Sequence, residues 1–326
     1  MVRKVFRFIP DPFIAGLILM IILAWLIPGL GMGEYRFNLG LVIDGGIFLI
    51  FFFYGLKLNP EKIRQGMRNW RMHSVIQLTT FLLFPLLVLP LYPLVKGSSL
   101  EILWLALFFM TALPSTVSSS VVMVSMAGGN VPGAIFNASI SGMIGILVTP
   151  LWMGLFLSRG AGDFDFQGIL FQLILQIILP VVLGLLLHRF FGKWVSRHLR
   201  HLARFDQLII LLIVYESFSS SFLSGMFRSV SLPLLALLMA VTIVLFFAVY
   251  TITGWVSDRL GFNREDKITT RFAGSKKSLV HGSVFAALLF SGTGGTGLYL
   301  LPIMIYHAFQ LFYISIVARR TGRIGE

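Results

Sequence analysis

"LALFFMTALPSTVSSSVVMVSMAGG", residues 105–129, is apolar enough at both ends for a membrane helix, yet Pro114 stands near its middle. Ser115, Thr116, Ser118, Ser119 and Ser120 follow it directly. Proline removes a backbone donor and clashes with the preceding turn. A second stretch, "RFAGSKKSLVHGSVFAALLF" at 271–290, is interrupted in a similar way, with Gly274 followed by Ser275, Lys276, Lys277 and Ser278. Broken backbone survives in hydrocarbon only where it is buried in protein or lines a watery cavity. The fold therefore turns on whether these two breaks occupy matching places in the chain.

The rest of the chain is built for lipid. Hydrophobic residues make up 57% of its 326 positions and charged residues 12%, about half the charged share of a soluble domain. No polar tract is long enough for a separate soluble domain. The absence of cysteine excludes disulfides, thiolate zinc sites and thiol nucleophiles. The net charge of +13 is scattered between apolar runs with no aromatic–basic motif, which argues against a nucleic-acid partner and for a charge bias set by the bilayer. A spanning helix needs roughly 20 apolar residues, and ten such runs fall at 13–30, 39–56, 74–94, 102–126, 132–157, 168–188, 207–226, 232–255, 268–291 and 297–318. The first reads as a retained helix rather than a signal peptide, because no convincing small-residue cleavage site follows it.

The basic residues orient these spans. With the N-terminus inside, cytoplasmic segments hold 20 Lys and Arg, and the opposite side holds only Arg36, Lys96, Arg159 and Arg228. That bias is the positive-inside pattern for two cytoplasmic termini. It leaves Lys276 and Lys277 unassigned. Dividing the chain into 1–160 and 161–326 gives two five-span halves of opposite orientation, an inverted repeat within one membrane unit. The two breaks then fall in the fourth span of each half. Paired interruptions of this kind point to a transport site near the bilayer midplane.

Lys277 lies six residues beyond Arg271, about 9 Å along a helix, so either lysine could snorkel to the interface or stay within the membrane. An intramembrane cation is a functional candidate by default. We expect Lys277 to stay in the cavity as a fixed positive charge and Lys276 to matter less. His281 shares a helix face with Lys277 at i+4. Glu216, in "LLIVYESFSSSF", is a buried proton carrier, a partner for lysine or a solvated external group. Gln77 and Thr80 in the third span, and Asn137, Ser139 and Ser141 in the fifth, are candidate oxygen donors, though polar residues in membranes also tie helices together. Gly142 and Gly145 read as packing residues.

Three stretches carry a resemblance: "ALPSTVSSSVVMVSMAGGNVPGAIFNASISG" (112–142), "FAGSKKSLVHG" (272–282) and "LLPIMIYHAFQLFYISIVARR" (300–320). Through them the chain resembles the bile acid:sodium symporter superfamily, and more closely its bacterial members related to the seventh human member of solute carrier family 10. The resemblance implies an all-α polytopic protein of ten helices in two inverted repeats, sorted into panel and core, with the fourth and ninth helices unwound and crossing. It also implies two sodium ions near the crossing, with Ser119 and Ser120, Ser139 and Ser141, and Thr80 or Gln77 at or beside the ligand positions. The family's acidic and Gln ligands of the ninth helix are missing here. Lys277 stands in that stretch, with Ser278 at the Asn position, which weighs against sodium coupling. An ammonium there would take over the electrostatic role of a bound cation.

The leading reading is a secondary transporter in a cell membrane, the inner membrane if the cell is Gram-negative, working by alternating access. Its substrate site would be formed by Pro114–Ser120 and Gly274–Ser278, with Na+ or H+ as the candidate coupling ions and no other cofactor. Half-helix N-termini carry partial positive charge, and with a lysine they favour an organic anion. No phosphate-binding loop supports ATP drive. Two other classes fit the same residues. One is a non-transporting regulatory membrane protein with this fold; the other is an intramembrane enzyme with Ser119 or Ser120 as nucleophile and Lys277 or His281 as base.

Overall fold

A computed structural model of the chain describes residues 12–32, 39–58, 69–116, 118–157, 171, 174–225, 230–290 and 296–323. Within them the protein is helical and contains no strand. The helices are α1 (Pro12–Leu26), α2 (Leu39–Lys57), α3 (Trp70–Val95), α4 (Glu101–Ala112), α5 (Ser118–Met126), α6 (Val131–Leu157), α7 (Leu179–Leu223), α8 (Leu232–Arg259), α9 (Arg264–Gly274), α10 (Leu279–Leu289) and α11 (Thr296–Arg323). A turn of π-helix at Ile174–Ile178 leads into α7. Six helices among the described residues are long and apolar enough to cross a membrane: α2, α3, α6, α7 with its preceding turn, α8 and α11. The shorter α1 and α4 are apolar too. The protein is a multi-pass membrane protein.

The segment Ile174–Leu223 holds 50 residues. Straight, it would run about 75 Å, more than twice a hydrocarbon core. It is not straight, because His198 leaves helical geometry (φ −110°, ψ 16°). Both arms then pack against α2. A Cβ on Gly184 would lie 2.1 Å from the Phe52 carbonyl oxygen, and one on Gly55 would lie 2.2 Å from that of Val181. On the other arm Asp206 pairs with Lys57 at 3.1 Å. Small residues let membrane helices approach to backbone contact, and here they set the hairpin on α2.

The two predicted breaks are real interruptions. The fourth span is divided into α4 and α5, and the ninth into α9 and α10. Leu113 is extended (φ −72°, ψ 152°), as the residue before a proline prefers. In the ninth span Ser278 starts the second half-helix. Its hydroxyl accepts from the His281 N–H, with the extended backbone of an N-cap. At one end of the bundle Asp266 accepts from Asn69 at 2.6 Å and Asn130 at 2.7 Å, and Arg264 donates to the Thr321 carbonyl. The N-terminal segment with Arg3, Lys4 and Arg7, the loop with Arg159 and the residues Arg36 and Arg228 fall outside the described residues.

Candidate functional site

The breaks meet. The Ser278 N–H donates to the Pro114 carbonyl at 2.9 Å, and the Ser115 hydroxyl donates to the Ala273 carbonyl at 2.6 Å. Each interruption thus supplies partners for backbone groups freed by the other. Pro114 is accommodated because Gly145 of α6 has no side chain, since a Cβ there would stand 2.8 Å from its ring. Gly142 likewise leaves room for the Tyr54 hydroxyl and the His281 ring.

An unpaired buried backbone group costs free energy comparable to a lost hydrogen bond, and side chains meet several of the groups freed here. The Ala112 carbonyl accepts from Thr149 at 2.8 Å, and the Ser115 N–H donates to the Ser141 hydroxyl at 2.9 Å. The Ser275 carbonyl accepts from Tyr306 at 2.5 Å. Gln310 takes both backbone groups of Lys277, accepting from its N–H at 2.8 Å and donating to its carbonyl at 2.7 Å. Tyr306 and Gln310 have no place among the candidates read from sequence. Their signal was present: they are polar residues four apart in an apolar span, inside one of the stretches that carry the resemblance.

Both lysines are fully buried, so neither snorkels. The Lys277 ammonium donates to three carbonyls, Thr80 at 2.7 Å, Thr111 at 2.6 Å and Leu113 at 2.8 Å, and lies 4.2 Å from the centre of the Phe84 ring. These carbonyls are free for a reason written in the sequence. At Thr79–Leu83 the third span makes a turn of π-helix, where the Phe84 N–H reaches back to Thr79, and the next residue, Pro85, has no N–H to offer Thr80. The α4 helix stops before Pro114, and the N–H that would have served Thr111, that of Ser115, goes to Ser141 instead. With all three donors used, Lys277 does not present a free ammonium to a cavity, contrary to our expectation. The Lys276 ammonium has a single bond among the described residues, to the Ser119 carbonyl at 2.9 Å. Beside it Ser119 donates to Thr116 at 2.9 Å, and Thr116 shares a bond with Ser120 at 2.8 Å. These hydroxyls belong to the entry of α5, where positive partial charge collects.

The remaining candidates lie around this crossing in different ways. Gln77 donates to Asn137 at 3.1 Å, and Asn137 bonds His73 at 2.7 Å, forming a separate polar bridge between α3 and α6. Thr80 contributes its carbonyl, because its hydroxyl is bonded to Ile76. The Ser139 hydroxyl is bonded within α6 to Ile135, and its carbonyl accepts from Tyr54. His281 bonds the Ser278 hydroxyl at 2.9 Å and meets Tyr54 and Phe51 of α2 edge-on. Gly274 closes α9, and the Ser275 hydroxyl is turned to the Arg271 carbonyl. The side chain of Ser118 lies outside the described residues. Glu216, half-buried in α7, stands within electrostatic reach of Asp44 of α2 and has no hydrogen bond to the crossing. Neither the Ser119 nor the Ser120 hydroxyl is bonded to Lys277 or His281, so the geometry adds no support to the enzyme reading.

The sequence model of the SBF-like CPA transporter family matches residues 11–323. "Uncharacterized protein PA2026" of Pseudomonas aeruginosa is 38% identical over 318 residues, covering 97% of this chain and 94% of its own. "Putative symporter YfeH" of Escherichia coli K12 is 38% identical over 325 residues, covering 99% and 96%. "Sodium/bile acid cotransporter 7-B" of Xenopus laevis is 29% identical over 318 residues, covering 94% and 90%. These matches support the bile acid:sodium symporter superfamily over nearly the whole chain.

Proposed function

Because the chain belongs to the SBF-like CPA transporter family, we propose that it is a secondary transporter that moves an organic anion by alternating access at the crossing of its two broken spans. The observation that carries this reading is the mutual bonding of the breaks, Ser278 N–H to Pro114 and Ser115 hydroxyl to Ala273. A helix pair broken at matching places, and joined there, fits the general design of such transport centres. In this reading the ten spans form inverted halves at 1–160 and 161–326, with both termini cytoplasmic and a cell membrane as the location, the inner one if the cell is Gram-negative.

Lys276 is the cation that meets the substrate. Two of its three N–H bonds have no partner among the described residues. Its one shown partner, the Ser119 carbonyl, belongs to the turn that carries the linked Thr116, Ser119 and Ser120 hydroxyls, which can turn to donate or accept. An anionic group placed there would offset a buried charge, which is costly when left unpaired.

Four oxygens at the crossing are not open to sodium. The carbonyls of Thr80, Thr111 and Leu113 are already filled by the Lys277 ammonium, and the Ser141 hydroxyl is held by Ser115. The reading is tested with purified protein in proteoliposomes, preloaded with unlabelled cholate and exposed to labelled cholate. A transient overshoot of label supports it. If neither cholate nor a panel of other organic anions and neutral solutes exchanges, the transporter reading fails.

A further inference from the structure

The three carbonyls around Lys277 have the chemistry of a cation site. Carbonyl oxygens bind monovalent cations by replacing their hydration shell, and an aromatic face adds attraction from a fourth side. Three acceptors at 2.6–2.8 Å match the three N–H donors of an ammonium, whereas a neutral amine has only two. Among the described residues the ion pairs are Lys57–Asp206 and Lys267–Asp258, so no carboxylate shares this site. The acceptors also come from elements far apart in sequence, Thr80 on α3 and Thr111 and Leu113 at the end of α4, while the ammonium comes from the ninth-span break. A cation at this point draws those three elements together.

We propose that this cage is a monovalent-cation site whose ligand is tethered: the Lys277 ammonium occupies it permanently, and a free cation enters only when that side chain is removed. The proposal stands on the cage geometry and not on the transporter reading. Shortening Lys277 to alanine leaves the three oxygens and the Phe84 ring facing a space the size of the missing alkylammonium. Small cations that donate hydrogen bonds, ammonium and methylammonium, suit it best, and potassium follows. Tetramethylammonium has no N–H and is too wide.

The test is the melting temperature of full-length Lys277→Ala in detergent, with chloride salts at matched ionic strength. Ammonium or methylammonium should raise it saturably by several degrees, with no effect of tetramethylammonium and no such rise in the wild type. Equal response to all salts, or none in a variant that is folded, would overturn the proposal. Where Lys277→Ala does not fold, the wild type still decides. Its melting should be the same in sodium, potassium and tetramethylammonium chloride, and a saturable sodium-specific rise would show a free cation site that the lysine does not fill. These melts need no substrate, so they separate this inference from the transport assay. Loss of flux with intact rescue fails only the transporter reading.

Discussion

Gln310→Leu isolates one piece of the crossing. The leucine side chain is of similar bulk, but it leaves the buried N–H and carbonyl of Lys277 without their partners at 2.8 and 2.7 Å. Each orphaned buried group costs about 1–3 kcal/mol, so the pair should cost about 2–6 kcal/mol. Tyr306→Phe removes only the bond to the Ser275 carbonyl and should cost about half as much or less. Tryptophan fluorescence during heating in mild detergent reads both. At roughly 2 °C per kcal/mol, Gln310→Leu should melt roughly 4–12 °C below the parent, with Tyr306→Phe in between. Transport should fall more steeply than stability in Gln310→Leu, because the break itself is loosened. If Gln310→Leu melts within about 1 °C of the parent, or if Tyr306→Phe is the more damaging change, the reasoning from freed backbone groups is wrong.

Gly184→Ala should lower the melting point sharply, because its Cβ meets the Phe52 carbonyl oxygen and backbone cannot give way as a side chain can; a melt within error of the parent would contradict that contact. Lys276→Met should abolish saturable anion exchange while the protein still inserts and folds, checked by gel filtration and uptake at matched expression. Replacing external sodium with potassium should leave exchange unchanged, and strict sodium dependence would refute transport without sodium coupling. In a chain without native cysteine, single cysteines near 96, 160 and 228 should label from outside and one near 200 from inside; finding 160 and 200 on one side would sink the ten-span topology.

The sequence by itself determined that this is a multi-pass helical membrane protein, and it located both breaks. Those features are local: apolar run length, a proline that cannot donate, and a glycine followed by polar residues each act within a few positions of the chain. It also exposed the oddity of two adjacent lysines in an apolar run. Which lysine does what was decided by tertiary structure. Lys276 and Lys277 are neighbours in sequence with the same charge and the same burial, and no local rule separates them. They differ because the carbonyls freed by Pro85 and Pro114 converge on one side of the ninth-span break, where Lys277 reaches them, while Lys276 reaches the entry of α5. Thr80 shows the same limit, a candidate oxygen donor whose hydroxyl is bonded to Ile76 while its carbonyl holds Lys277. Gln310 and Tyr306 went unread because their partners are backbone groups of another span, and a backbone group's need for a partner is visible only once the chain has folded around it.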